Sequence, residues 1–186
     1  MRRLVLAALL ASSLPAAAQD SSWLADARRV ATIVPPKLLA VLTEQIGKVG
    51  PEGAILVCRD QAPQMAKAAS DETGWAIRRV SLRNRNPKAV PDPWERAALE
   101  DFDRRAAAGE SPATLEKGEI VAAGERKEYR YIKALPAQEF CLQCHGTPER
   151  ISPAVQEQLK KLCPDDKGVG YRAGQIRGGI TIRKPA

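Results

Sequence analysis

Histidine and aromatic residues are scarce in this chain. A single histidine, His145, stands among 186 residues. Coordination of one metal by two histidines of the chain is therefore excluded, and so is any Ser-His-Asp relay that does not use His145. Aromatics make up only 4%, thin for a core of this size, and a large apolar cofactor is one candidate for the missing bulk. Basic and aromatic residues do not interleave as they do on a nucleic-acid platform. No glycine-rich phosphate loop, internal repeat or low-complexity linker is present. No apolar run reaches the roughly 20 residues that span a bilayer. The length suits one ordinary domain.

What is there begins with charge. The formal charge is +7, with both signs interspersed, which predicts a basic surface suited to acidic partners. Arg2 and Arg3, the seven-residue apolar run Leu4 to Leu10, Pro15 and Ala16 to Ala18 read as an export signal over residues 1–18. Cleavage after Ala18 removes Arg2 and Arg3 and no acid, which leaves +5 on a single domain of residues 19–186. The protein is expected in the periplasm, without a membrane span, where thiols meet an oxidising environment.

Periodicity predicts a mixed α+β fold, with an antiparallel sheet flanked by helices and a long N-terminal helix. That helix starts near Trp23 and is expected to break at Pro35-Pro36, and its apolar stripe resumes through Leu38, Leu42 and Ile46. A second helix starts at Gly50-Pro51-Glu52 and carries Ala54, Cys58, Ala62, Met65 and Ala69 on one face, up to Gly74. The small residues of this face let something approach its backbone. Trp75 to Leu82 reads as a strand, closed by the turn Arg83-Asn84-Arg85-Asn86-Pro87, and a helix runs from Pro93 to Ala107. Glu119 to Ala123 and Glu128 to Ala134 form a hairpin, a short helix follows Ser152-Pro153, and Gly174 to Arg183 is the last strand.

Cys141-Leu142-Gln143-Cys144-His145 carries the chemistry. C-x-x-C-H is the attachment signature of a c-type haem. Two thiols one helical turn apart reach the two vinyl groups, and the adjacent imidazole turns to the iron from the same side. Attachment takes place outside the cytoplasm, in agreement with the export signal. A thioredoxin-like dithiol needs a βαβ unit that is not visible here. Zinc needs four ligands, which Cys58, Cys141, Cys144, His145 and Cys163 supply in number. Structural disulfides are the plain alternative.

For the second axial position, spacing leaves Met65, Cys58 and Cys163 open, along with water or a vacant site. Met65 leads on the commonness of Met/His ligation. Cys58 and Met65 lie 7 residues apart, about 10 Å along a helix, and cannot both reach one iron. Arg79, Arg83, Asn84 and Arg85 are candidates for binding haem propionates, with guanidinium as the bidentate donor; otherwise they are a solvated strand end. Tyr129, Tyr131, Trp75 and Trp94 read as core, and Gly178-Gly179 as a close backbone approach.

An ordered set of segments adds a resemblance. Ala54-Ile55-Leu56-Val57-Cys58 with Ala62-Pro63, Ile77 to Pro87 with its Arg-Asn-Pro end, Trp94-Glu95, the C-x-x-C-H, Gly170-Tyr171 and Ile176-Arg177-Gly178 occur in one order. The chain resembles a family of small c-type haem domains with a PAS-like fold, long known as a domain of unknown function. The resemblance implies one covalent haem c, with His145 proximal and Cys58 as the distal ligand. Cys163 stands where the family pattern has an aromatic residue, and a Cys58–Cys163 disulfide would take the thiolate from the iron. The function expected is one-electron transfer with an acidic periplasmic redox partner. A six-coordinate iron leaves no vacancy for oxygen chemistry. A haem-based redox or gas sensor, acting through a partner protein and releasing Cys58, is the second expectation. A peroxidase-type enzyme lacks a distal base.

Overall fold

The computed structural model describes residues 16–186, with side chains from Ser22 onward. The expected export segment lies outside the described residues apart from Ala16 to Ala18. These open helix α1, Ala16–Ala31. The start is earlier than the sequence suggested, as alanine is the best helix former.

Helix α2 spans Val34–Leu56 with prolines in its first turn. The expected break at Pro35-Pro36 therefore lies just before the prolines, which start a helix instead of ending one. Their missing N–H groups have no partner in a first turn anyway. Inside α2, Gly50 adopts φ 72°, ψ 169° and Pro51 follows. The pair turns the helix, and only glycine takes that backbone without strain.

The second helix is not continuous, as had been expected. Val57–Gln61, which contains Cys58, forms a single π turn, and α3 runs over Ala62–Thr73. Pro63 explains it. Its ring would press on the carbonyl four residues back in a regular α-helix, and the wider turn gives room. The extra residue takes Cys58 off the stripe of Ala62, Met65 and Ala69. Gly74 ends α3 with φ 71°.

The sheet is formed by β1 (Ala76–Val80), β2 (Glu116–Ala123), β3 (Arg126–Pro136) and β4 (Ile176–Pro185), antiparallel throughout in the order β1-β4-β3-β2. The hairpin strands are longer than expected, and the turn narrows to Gly124-Glu125 with Gly124 at φ 65°. Helix α4, Pro93–Ala107, matches its expected bounds and starts with a capping box between Asp92 and Glu95. The short α5 (Leu142–His145) and α6 (Pro153–Leu162) lie between β3 and β4.

Each face of the sheet has its own apolar layer. Ala27, Val30, Ala69, Trp75, Ile77, Tyr131, Ile180 and Ile182 join α1 and α3 to one face. Val80, Ala98, Leu99, Phe102, Leu115, Ile132 and Ala134 join α4 to the other. Tyr131 and Trp75 are core residues as expected, and Tyr129 stacks on Trp23 with ring centroids 4.9 Å apart. A third cluster of Ile55, Ile151, Val155 and Leu159 ties α6 to the end of α2 and includes Cys144. Among the described residues, no helix is long and apolar enough to cross a membrane.

Candidate cofactor site

Helix α5 sets the two motif thiols one turn apart, Cys141 at its N-cap and Cys144 inside it. It stops at Gly146, where a Cβ would meet the Leu142 carbonyl oxygen at 2.5 Å. The chain returns beside it after α6. Tyr171 N–H donates to the His145 carbonyl at 2.9 Å, and Gly170 N–H to that of Gly146 at 2.6 Å. This return brings the Gly168 carbonyl to the His145 ring, 2.6 Å from Nδ1. The ring is buried, and burial, followed by the nearby Arg177, Arg85 and Arg79 cations, holds its pKa well below the usual value. A neutral imidazole with one nitrogen already bonded is the state in which histidine binds a metal.

Cys58 faces the same cluster from the π turn. Burial pushes its thiol up, opposed by the charges of Arg79, Arg85 and Arg177. Burial likewise raises Cys144, to about 11, with Arg85 opposing and Cys58 and Cys141 adding to it. All four cysteines carry free thiols, and Cys58 is not bonded to Cys163. Cys163 caps α6 and joins the apolar cluster beside Cys144. Met65 packs against the core layer under α1.

The arginines differ in their partners. Arg85 is buried and fully engaged, with Nε 2.9 Å from Asp166 Oδ2 and Nη2 donating to the Cys144 carbonyl at 2.5 Å. Arg83 is exposed, lies over the Tyr171 ring at 4.1 Å and donates to the Val169 carbonyl. Asn84 donates to the Asn86 carbonyl and does not enter the cluster. Arg79 makes no hydrogen bond or ion pair among the described residues. Its side chain is exposed, although desolvation by the protein around it lowers its pKa, against the pull of Cys58 and Cys141.

Sequence reasoning missed Arg177. It is 5% exposed, and its guanidinium reaches His145 Nδ1, Ser81 Oγ and the Arg83 carbonyl. The signal was present, since a lone charge in the apolar run Ile176 to Ile182 has to be explained by a partner. Asp166 was missed too, as an acid among many on a loop. The cluster thus holds three arginines, Arg79, Arg85 and Arg177, against two carboxylates, Asp166 and Glu52. The donor set suits a haem. Two thiols stand one turn apart, a fixed neutral imidazole and a further thiol face them, and an unpaired guanidinium is left for an anionic propionate.

A cavity of about 460 Å³ lies elsewhere, between α4 and the loop before β4, and none of Cys58, Cys141, Cys144 and His145 lines it. The donor set, not cavity size, therefore places the site.

Comparison with known proteins agrees with this fold. The model of the Tll0287-like family matches residues 11–185. The crystal structure of the cyanobacterial heme-protein Tll0287 matches with a TM-score of 0.62 at 21% identity, over 90% of this chain and 95% of that one. At that identity the likeness speaks for the fold. No curated protein matches.

Proposed function

Because the chain belongs to the Tll0287-like family, we propose that it is a haem protein, namely a periplasmic mono-haem c-type cytochrome that passes single electrons. The observation that carries the proposal is the C-x-x-C-H run held on α5, with its one histidine buried and its Nδ1 2.6 Å from the Gly168 carbonyl. Tll0287, which shares the fold, is described as a heme-protein.

Cys141 and Cys144 are the attachment thiols. They would hold a haem through two thioether links to its vinyl groups. His145 Nε2 and Cys58 Sγ would hold the iron. Arg79 is the arginine free to meet a propionate, whereas Arg85 positions α5 through the Cys144 carbonyl and Asp166. When bound, the haem supplies the one-electron couple. Donation from Cys58 as thiolate favours the ferric state and lowers the potential relative to a Met/His pair. The basic surface suits an acidic redox partner and gives an on-rate that falls with salt.

One observation favours a second reading, a haem-based sensor. Cys58 sits on a π turn, a rare form that recurs at functional sites. Release of Cys58 on reduction would free that turn to move and pass a shift along α2 and α3 to a partner protein.

Acid-acetone extraction after expression with periplasmic c-type maturation tests the function. Haem should stay with the denatured chain, and Cys141→Ala with Cys144→Ala should abolish retention. Haem that extracts freely from the wild type overturns covalent attachment.

A further inference from the structure

Arg177 is a cation set directly against the histidine that the cofactor would need. Its side chain is held rigidly. Nη1 donates to Ser81 Oγ at 2.9 Å and to the Arg83 carbonyl at 3.2 Å, and Ser81 Oγ donates back to the Arg177 carbonyl at 2.9 Å. Nε is left 3.0 Å from His145 Nδ1. The same Nδ1 lies 2.6 Å from the Gly168 carbonyl. Gly168 leaves the room for this arrangement, since a Cβ there would stand 2.5 Å from Arg177 Nη2.

One nitrogen cannot serve both neighbours. A neutral imidazole has one N–H. If Nδ1 carries it, the ring donates to Gly168 and keeps its Nε2 lone pair for a metal. If Nδ1 accepts from Arg177, Nε2 carries the proton and cannot bind. The two neighbours favour opposite tautomers, and the ring orientation alone does not decide between them.

We propose that Arg177 is a positioning residue that limits how strongly His145 donates to iron, by contesting Nδ1 with the Gly168 carbonyl. The inference rests on the haem reading above. A carbonyl acceptor at Nδ1 gives the ring imidazolate character and strengthens Nε2 as a donor. A rigid guanidinium at the same atom opposes this. It also places a buried positive charge near the iron, and Asp166, the nearby acid, is engaged with Arg85. Both effects favour the reduced, less positive iron.

The test compares haem-loaded wild type with Arg177→Gln, Arg177→Lys and Gly168→Ala. Haem content is measured first, then the midpoint potential, then ring-nitrogen NMR of the ferrous form, where the single histidine gives an unambiguous signal. Arg177→Gln should shift the ferric–ferrous equilibrium about tenfold toward ferric, a fall of 59 mV for one electron, and should move the Nδ1 resonance. Arg177→Lys should recover part of the potential, because the charge remains. Gly168→Ala should shift it the same way as Gln, because the new methyl displaces the guanidinium. A loaded Arg177→Gln protein with wild-type potential and resonance overturns the proposal. If that variant does not load, an unchanged Gly168→Ala protein overturns it. A wild type that never takes up haem overturns the function reading instead.

Discussion

Two clusters of arginine and carboxylate sit on this sheet, and they are balanced differently. At the start of α4, Arg78 and Arg130 meet Asp92 and Glu95. Arg78 lies 2.6 Å from Glu95, and Arg130 lies 2.5 Å from Asp92 and 3.3 Å from Glu95. Glu128 lies 3.9 Å from Arg130 and 3.9 Å from Arg183, so three cations face three acids, with an apolar layer behind them. Around α5, Arg79, Arg85 and Arg177 gather about Cys58, with Asp166 on Arg85 and Glu52 beside Cys144 as the carboxylates, so three cations face two acids. The first cluster is a staple that closes upon itself. The second is an arrangement that an anion would complete. Counting charges within a buried cluster separates the two where motif and burial alone would not.

Breaking the balanced cluster should give the largest loss. Glu95→Gln keeps the shape of the cap but leaves Arg78 and Arg130 short of one charge in a site where Glu95 is only 2% exposed. A cost of about 3–5 kcal/mol is expected, as for a buried pair that loses one partner. Thermal unfolding should show it as a Tm lowered by roughly 10 °C, with haem content per folded chain unchanged. A shift within error would mean that the cluster is not a staple.

The unbalanced cluster should answer with the opposite sign. In the haem-free chain, Arg79→Met removes an exposed cation that has no hydrogen-bond partner and should stabilise only slightly, by about 0.5 kcal/mol, because solvent screens the charge. In the loaded protein the same change should destabilise, because the propionate loses its partner. Denaturant midpoints of both forms check this, and equal signs in the two forms would remove Arg79 from the cofactor.

How much of this was legible beforehand follows the same division. The C-x-x-C-H run, the bounds of α4 and the left-handed turn at Gly74 are local signals, fixed by residue type and spacing. The π turn at Cys58 was not legible. Periodicity carried the helix from Pro51 to Ala69, and Pro63 signalled a disturbance whose form depends on packing. Arg177 and Gly168 were not legible as a pair either, because a loop and a strand meet at His145 only in three dimensions. Arg83 and Arg85 looked equivalent in sequence. Tertiary contacts send one to Tyr171 and the other to Asp166.

The smallest effect sharpens the comparison through pH. Burial works to raise the Asp92 pKa, but the hydrogen bonds from Arg130 and from the Glu95 backbone prevail and hold it below the ordinary value. A carboxylate with a lowered folded pKa contributes stability above its unfolded value, near 3.9, and loses it as pH falls through the folded one. Urea midpoints measured downward from pH 5 should therefore decline below about pH 4 in the wild type. The decline should be shallower in Asp92→Asn, which starts from a lower stability. An identical slope in both would take Asp92 out of the staple.

The central claim is that the unbalanced cluster holds a haem between His145 and Cys58. Electron paramagnetic resonance of the ferric protein tests it most directly, comparing wild type with Cys58→Ala, Met65→Ala and Cys163→Ala at equal haem content. The account predicts a low-spin thiolate signal that Cys58→Ala abolishes and that survives both Met65→Ala and Cys163→Ala. A signal unchanged in Cys58→Ala, or lost in Met65→Ala, would contradict it.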